Sequence, residues 1–190
     1  MTPHPKDLGG DRSMRSRFLI ALGMSSLLTL GNLAVAQQPT APPAPAPAAP
    51  AASTPKLDYG PPISNEQAKA VAAAAVAEAK KNNLRIAISI VGPAGELVYF
   101  EKMDGTQLAS TEMAQGKART AVLYRLPSKA FADQYTAGIS HFMTFPDKPV
   151  ASEGGVLIVV SGKIIGAIGA SGAAAYQDGA VATAGANAAK

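Results

Sequence analysis

The most informative pattern in the chain is a pair of apolar runs near its C-terminal end, residues 156–160 and residues 164–170. A Ser-Gly dipeptide at 161–162 separates them, and such a connection between runs rich in Val and Ile predicts a β-hairpin. Gly166 and Gly169 remove the side chains from part of the second strand. Glycine recurs in strands where a ligand or another backbone segment comes close, so the pattern predicts one of these two neighbours.

Periodic patterns predict the other elements of the folded region. A helix is predicted to begin after Ser64, because Ser64 and Gln67 have the spacing of a capping box and small apolar residues follow on one face. Residues 85–91 and 96–103 are predicted strands, joined by the turn-forming sequence Gly-Pro-Ala-Gly. Further helices are predicted over residues 110–124, 128–135 and 174–189.

Strand pairs, rather than single strands, alternate with the helices in the order helix, hairpin, helices, hairpin, helix. A tight hairpin joins antiparallel neighbours, whereas a doubly wound parallel sheet needs one strand for each crossover helix. The sequence therefore predicts an α/β fold of the α+β type, with an antiparallel sheet of four to five strands and helices packed on it.

One predicted loop, residues 138–153, is long and contains apolar patches between its prolines. Loops of this length are usually functional or disordered. Phe142, Met143 and Phe145 lie in this loop and favour docking onto another surface. It also contains His141, the only histidine beyond residue 36.

Two segments of different character precede the predicted domain. Residues 1–36 combine basic residues, an apolar run and an Ala-Val-Ala site, which is the pattern of a signal peptide, and Met14 offers a better start than Met1. Polar residues within the run favour cleavage over a retained membrane anchor. Residues 37–58 are rich in Pro and Ala and predict an extended linker, which leaves residues 59–190 as the folded domain. The mature protein is therefore expected in the periplasm or outside the cell.

Charge and cysteine content exclude several classes of function. The chain has 17 basic and 13 acidic residues, of which four and two lie in residues 1–36, so the mature chain has a net charge of +2. No basic stripe interleaved with aromatic residues is present, and nucleic-acid binding is not expected. Cysteine is absent, which excludes thiolate metal sites, iron–sulfur clusters and covalent attachment of c-type haem.

The elements also carry an ordered set of short motifs. These are Met103-Asp104-Gly105, Lys117-Ala118-x-Thr120-Ala121, Gly154-Gly155, residues 165–172 and Gln177-Asp178. In this order they resemble the GlcG/HbpS-like haem-binding family, whose relatives include the C-terminal domain of PduO-type proteins. The resemblance spans residues 63–189. It implies a profilin-like fold, frequently a homo-oligomer, and extracellular or periplasmic haem binding in some members. The acidic E-x-x-E iron motif of some relatives is not matched here, because Lys81 occupies the position three residues after Glu78 where the second Glu would stand.

Candidate ligand-binding residues lie in five parts of the chain. They are Met103, Lys117, Thr120, His141, Gly154, Gly155 and Asp178. His141 is the candidate metal ligand for haem iron, and the alternative is a solvated loop histidine. Lys117 is the candidate partner of a haem propionate, and the alternative is a lysine on a solvated helix face. Met103 is either a thioether ligand, an apolar wall or core filler. Asp178 either complements a helix dipole or acts as a general base or metal ligand.

Three functional hypotheses follow. The first is an exported haem- or tetrapyrrole-binding protein that acts as a carrier, scavenger or sensor component. Its ring would occupy an apolar cleft beside the hairpin of residues 154–172, under the aromatic loop. The second is an enzyme that acts on haem, or on a small hydroxy or keto acid through Lys117 and Asp178. The third is a non-catalytic, oligomeric docking module with a partner in the cell envelope.

Overall fold

The computed structural model describes residues 57–190. The predicted signal peptide, and the predicted linker except for its last two residues, lie outside the described residues. Within residues 57–190, a four-stranded antiparallel sheet lies between helices on both of its faces. No helix in this part of the chain is long and apolar enough to cross a membrane.

The elements follow the predicted order and lie close to the predicted bounds. They are α1 (Asn65–Lys81), β1 (Ala87–Val91), β2 (Leu97–Lys102), α2 (Ser110–Tyr124), α3 (Lys129–Thr136), β3 (Gly155–Val160), β4 (Lys163–Ser171) and α4 (Ala175–Ala186), with a 3₁₀ turn at His141–Thr144. The predicted capping box at the start of α1 is confirmed. The Gln67 backbone N–H donates to Ser64 Oγ at 3.2 Å, and the Ser64 N–H donates to Gln67 Oε1 at 3.1 Å.

The two hairpins lie side by side, and the strand order across the sheet is β2-β1-β4-β3. Strand β1 pairs with β4 in antiparallel register, with Ala87 opposite Ser171 and Val91 opposite Ala167. All neighbours in the sheet are antiparallel, which confirms the predicted fold class. Because β1 and β4 are central, both of their faces are covered, and all five residues of β1 are buried.

Helices α1 and α4 pack on one face of the sheet, and α2 packs on the other. On the first face, Ile88 and Ile90 of β1 join Val71 of α1 and Val181 of α4 in the larger apolar cluster. Alanine accounts for four of the six buried residues of α1 and three of the seven buried residues of α2, so both helices approach the sheet closely.

The glycine-bearing face of the second hairpin is covered by the backbone of α2. A Cβ atom built on Gly169 would collide with the Ala114 carbonyl oxygen and lie 2.6 Å from the Ala118 nitrogen. A Cβ atom built on Gly155 would collide with the Lys117 carbonyl oxygen. Of the two neighbours that the glycines predicted, the structure contains the backbone segment. At Gly155 and Gly169, α2 therefore occupies the place of the expected apolar cleft, whereas a Cβ atom on Gly166 would collide with the Val91 carbonyl oxygen.

This packing predicts a large cost for one added methyl group. Gly169→Ala is expected to lower the free energy of unfolding by about 1–3 kcal/mol, because the methyl group overpacks against helix backbone that cannot yield locally. Gly116→Ala is a matched control, since its Cβ would meet only the Val150 side chain, at 2.7 Å. Chemical denaturation of both variants measures the difference. Equal, small losses would contradict the close approach of α2 to β4.

Candidate functional site

The structure brings four of the seven candidate residues together. Lys117 lies in the middle of α2, and Asp178 lies in the first turn of α4. Gly154 and Gly155 lie beside them, where the chain enters β3. All four residues are buried. Because α2 and α4 pack on opposite faces of the sheet, the Lys117–Asp178 contact joins the two outer layers.

Lys117 and Asp178 form a buried ion pair with its hydrogen bonds satisfied inside the protein. Lys117 Nζ lies 2.8 Å from Asp178 Oδ2, and the side chains are only 2% and 3% exposed. The ammonium also donates to the Ala170 carbonyl oxygen at 3.2 Å, and Asp178 Oδ1 accepts from the Ala173 N–H at 3.0 Å. Burial raises the pKa of the Asp178 carboxyl, while the hydrogen bond and charge of Lys117 oppose that rise.

Burial contradicts the alternative of a solvated Lys117, while its role toward a propionate stays a prediction. The ammonium is not exposed to water on a helix face, and Asp178 already pairs with it. A Cβ atom on Gly154 would lie 2.9 Å from Lys117 Nζ and 3.0 Å from Asp178 Cβ, so the Gly-Gly sequence closes the space around the pair. The two side chains are paired with each other and buried, and their role in chemistry on a hydroxy or keto acid stays a prediction.

Thr120 fixes the long loop to α2. Its side chain is buried, and Oγ1 donates to the Gly116 carbonyl oxygen and accepts from the Val150 N–H, both at 2.8 Å. One turn later, the Tyr124 hydroxyl donates to the Asp147 carbonyl oxygen. The accepted hydrogen bond holds the return segment of the loop, the donated one stays within α2, and the role of Thr120 toward a ligand stays a prediction.

His141 lies in the 3₁₀ turn and its side chain is exposed. The imidazole packs edge-on against Phe145 and Phe142, with ring centroids 5.8 and 6.3 Å away. Phe142 itself is fully buried against Phe131, so the turn is anchored while His141 faces outward. The role of His141 as a metal ligand stays a prediction. Within residues 57–190, no group of three or more His, Cys, Asp or Glu residues is arranged to hold a metal ion.

Met103 lines a groove of about 610 Å³. It lies between the C-terminal end of α1 and the end of β2, and we term it the Met103 groove. Its lining residues are Val76, Lys80, Asn83, Leu84, Arg85, Glu101, Lys102, Met103 and Asp104. Two smaller grooves, of about 210 and 190 Å³, lie beside Thr120 and beside Tyr176. Lys117, Asp178 and His141 line none of the three.

The cationic lining of the Met103 groove was not predicted from the sequence. Lys80 lies in the last turn of α1, Arg85 follows that helix, and Lys102 is the last residue of β2. Their charges are scattered along the chain and match no recognition motif. The only local signal is the Met103-Asp104-Gly105 turn, which carries part of the family resemblance and does not indicate a groove.

Comparison with known proteins confirms the predicted resemblance. The family model described as "Haem degrading protein HbpS-like" matches residues 63–187. Protein GlcG of Escherichia coli strain K12 is 39% identical over 109 residues, which cover 57% of this chain and 81% of GlcG.

Two solved structures share the fold. The crystal structure of a PduOC:heme complex aligns with a TM-score of 0.62 and 27% identity, over 67% of this chain and 94% of that one. The crystal structure of a double mutant of Streptomyces reticuli HbpS aligns with a TM-score of 0.62 and 28% identity, over 75% of this chain and 97% of that one. Since the family model covers well over half of its residues, the protein belongs to the HbpS-like family.

Proposed function

We propose that the protein binds haem, and that the Met103 groove holds the ring. The observation that carries this proposal is a groove of about 610 Å³ with an apolar wall and three cations in its lining. Small-molecule sites usually measure roughly 300–1,000 Å³, so the smaller grooves of about 210 and 190 Å³ do not reach this range. The family match and the haem complex of the PduOC relative support the choice of ligand.

Three apolar residues and three cations of the lining match the ring and the propionates of haem, and two carboxylates, Glu101 and Asp104, share the same lining. Val76, Leu84 and Met103 pack against the apolar core and offer a hydrophobic wall. Burial of apolar ring surface contributes about 25 cal/mol per Å², before the cost of ordering. Lys80, Arg85 and Lys102 supply positive charge for the propionates, whereas Lys117 is buried and paired with Asp178.

Met103 is the soft donor of this groove, and its backbone is held firmly. The Met103 N–H donates to the Ile86 carbonyl oxygen at 3.1 Å, and the Met103 carbonyl oxygen accepts from the Thr106 hydroxyl at 2.7 Å. When bound, haem supplies a redox-active iron that accepts axial ligands such as Met or His. This chain would hold the ring, pair with its propionates and present a thioether toward it.

The experiment is a titration of the purified protein with haemin, followed through the Soret band. A saturable transition with a Kd of about 1 µM or tighter is expected, equivalent to about −8 kcal/mol.

Met103→Leu keeps the apolar volume and is expected to retain binding but change the ferric and ferrous spectra. His141→Ala is expected to leave both spectra unchanged. The groove assignment fails if His141→Ala changes them and Met103→Leu does not, and the proposed function fails if no saturable complex forms.

The same loaded protein tests haem breakdown, which the description of the family model favours. Loss of the Soret band in air with a reductant, faster than with free haemin, would add this activity. A stable complex would instead favour a carrier, scavenger or sensor component. Light scattering of the protein with and without haemin tests the predicted homo-oligomer, and a multimer without any haem complex would favour the docking module with an envelope partner.

We further propose that the protein acts after export. The signal-peptide pattern of residues 1–36 and the Pro/Ala-rich sequence that follows support this location. Fractionation of expressing cells and N-terminal sequencing of the mature chain test it. A chain that keeps Met1 or Met14 in the cytoplasmic fraction would contradict export.

A further inference from the structure

The side chain of Arg85 lies against the turn after β2, at a glycine whose backbone is left-handed. Arg85 lies just before β1, and its guanidinium rests against Gly105 in the turn after β2. Gly105 has φ +74°, and a Cβ atom there would lie 2.7 Å from Arg85 Nη1 and 3.2 Å from Cδ. The absence of a side chain at Gly105 therefore leaves room for the guanidinium to lie against the turn.

The backbone of Arg85 is held by a second glycine. Gly172 has φ +152°, and a Cβ atom there would collide with the Arg85 carbonyl oxygen and lie 3.0 Å from Ile86 Cα. Gly172, at the end of the second hairpin, thus packs against the main chain of Arg85. Gly105, just after the first hairpin, packs against its side chain. The main chain at Arg85 is therefore held in place, and its exposed side chain starts from a fixed position beside the groove.

The guanidinium also keeps its charge available to the groove. Among residues 57–190, no carboxylate lies within ion-pair distance of Arg85, Lys80 or Lys102. The two carboxylates in the groove lining are Glu101, which accepts a hydrogen bond from the Tyr99 hydroxyl at 3.1 Å, and the exposed Asp104. Arginine binds a carboxylate through two parallel hydrogen bonds, which a lysine ammonium cannot reproduce.

We infer that Arg85 is the residue that binds a carboxylate of the ligand and selects acid-bearing tetrapyrroles over uncharged ones. The inference rests on the proposed function and adds its specificity. Lys80 and Lys102 contribute general positive charge at the same groove, whereas Arg85 contributes the directional contact. The ligand class is therefore a planar apolar ring with at least one free carboxylate that reaches the Asp104–Gly105 turn.

The test compares haemin with haemin dimethyl ester, which has the same ring without free carboxylates. Arg85→Gln is expected to weaken haemin binding about 10-fold or more, as expected for a lost charged hydrogen bond, and to leave ester binding unchanged. Arg85→Lys is expected to restore only part of the loss. Lys69→Gln removes one positive charge from an exposed position outside the groove and should change neither affinity.

A second variant keeps Arg85 and adds a side chain at Gly105, where the guanidinium lies. Gly105→Asn is expected to reproduce the selective loss of haemin binding, because asparagine tolerates left-handed backbone whereas its Cβ still displaces the guanidinium. Thermal unfolding shows whether each variant is folded. Arg85 is excluded as the selector if Arg85→Gln and Lys69→Gln weaken haemin binding equally, or if the ester loses as much affinity as haemin. If the unmodified protein binds neither compound, the proposed function fails and this inference fails with it.

Discussion

Lys117→Met is expected to lower the free energy of unfolding by about 3–5 kcal/mol, because it leaves the Asp178 carboxylate buried without its partner. The ammonium it removes is 2.8 Å from Asp178 Oδ2, in a place that water does not reach. Methionine has a similar length and no charge, so the loss comes mainly from the orphaned carboxylate rather than from a cavity. Urea denaturation followed by circular dichroism measures it.

The double variant Lys117→Met/Asp178→Leu separates the two causes. Replacement of a whole buried ion pair by apolar residues is often neutral or stabilising, so most of the loss in the single variant should be recovered. Lys129→Ala is the surface control. It breaks an exposed Lys129–Asp133 pair and should leave the unfolding midpoint nearly unchanged. If Lys117→Met behaves like Lys129→Ala, the pair does not hold α2 and α4 together.

Local patterns predicted the elements well because their physical causes are local. The Ser64–Gln67 capping box is complete within four residues, and the Ser-Gly turn lies directly between the two strands that it joins. The apolar stripe of α1 was also readable, since its small residues repeat at helical spacing and all lie in the core. These features need no knowledge of what packs against them.

The candidate site depended on contacts that are distant in sequence. Lys117 and Asp178 are 61 positions apart, and nothing in either neighbourhood indicates that they meet. Sequence reasoning gave both residues a role but assigned each to solvent, a ligand or a helix dipole, because burial depends on how α2 crosses the sheet. The Met103 groove was missed for a related reason. It forms between the end of α1 and the end of β2, so its three cations come from different segments and do not share a motif.

The glycines show how the same pattern supports two different outcomes. Gly169 and Gly155 admit the backbone of α2, whereas Gly105 admits a guanidinium beside a groove. In each case the sequence indicates only that something comes close. The tertiary structure decides which neighbour is present. It is helix backbone at the second hairpin and an arginine side chain at the turn after the first hairpin.

Phe142→Ala is expected to lower the free energy of unfolding by about 3–5 kcal/mol, the usual cost of removing a buried aromatic side chain. Phe142 is fully buried although it lies in a loop, and its ring centroid is 5.4 Å from that of Phe131 in α3. This side chain holds the outer part of the loop on the protein, while Thr120 holds the return segment through the Val150 N–H. Chemical denaturation measures the loss.

Hydrogen exchange shows which part of the protein loses stability in Phe142→Ala. The Val150 amide should exchange faster in Phe142→Ala, because the loop that carries it is no longer anchored at its outer end. Met143→Ala is the matched control, since the neighbouring side chain is 46% exposed and its removal should change neither stability nor exchange appreciably. Similar behaviour of the two variants would mean that the loop is held by its hydrogen bonds to α2 and not by the aromatic anchor.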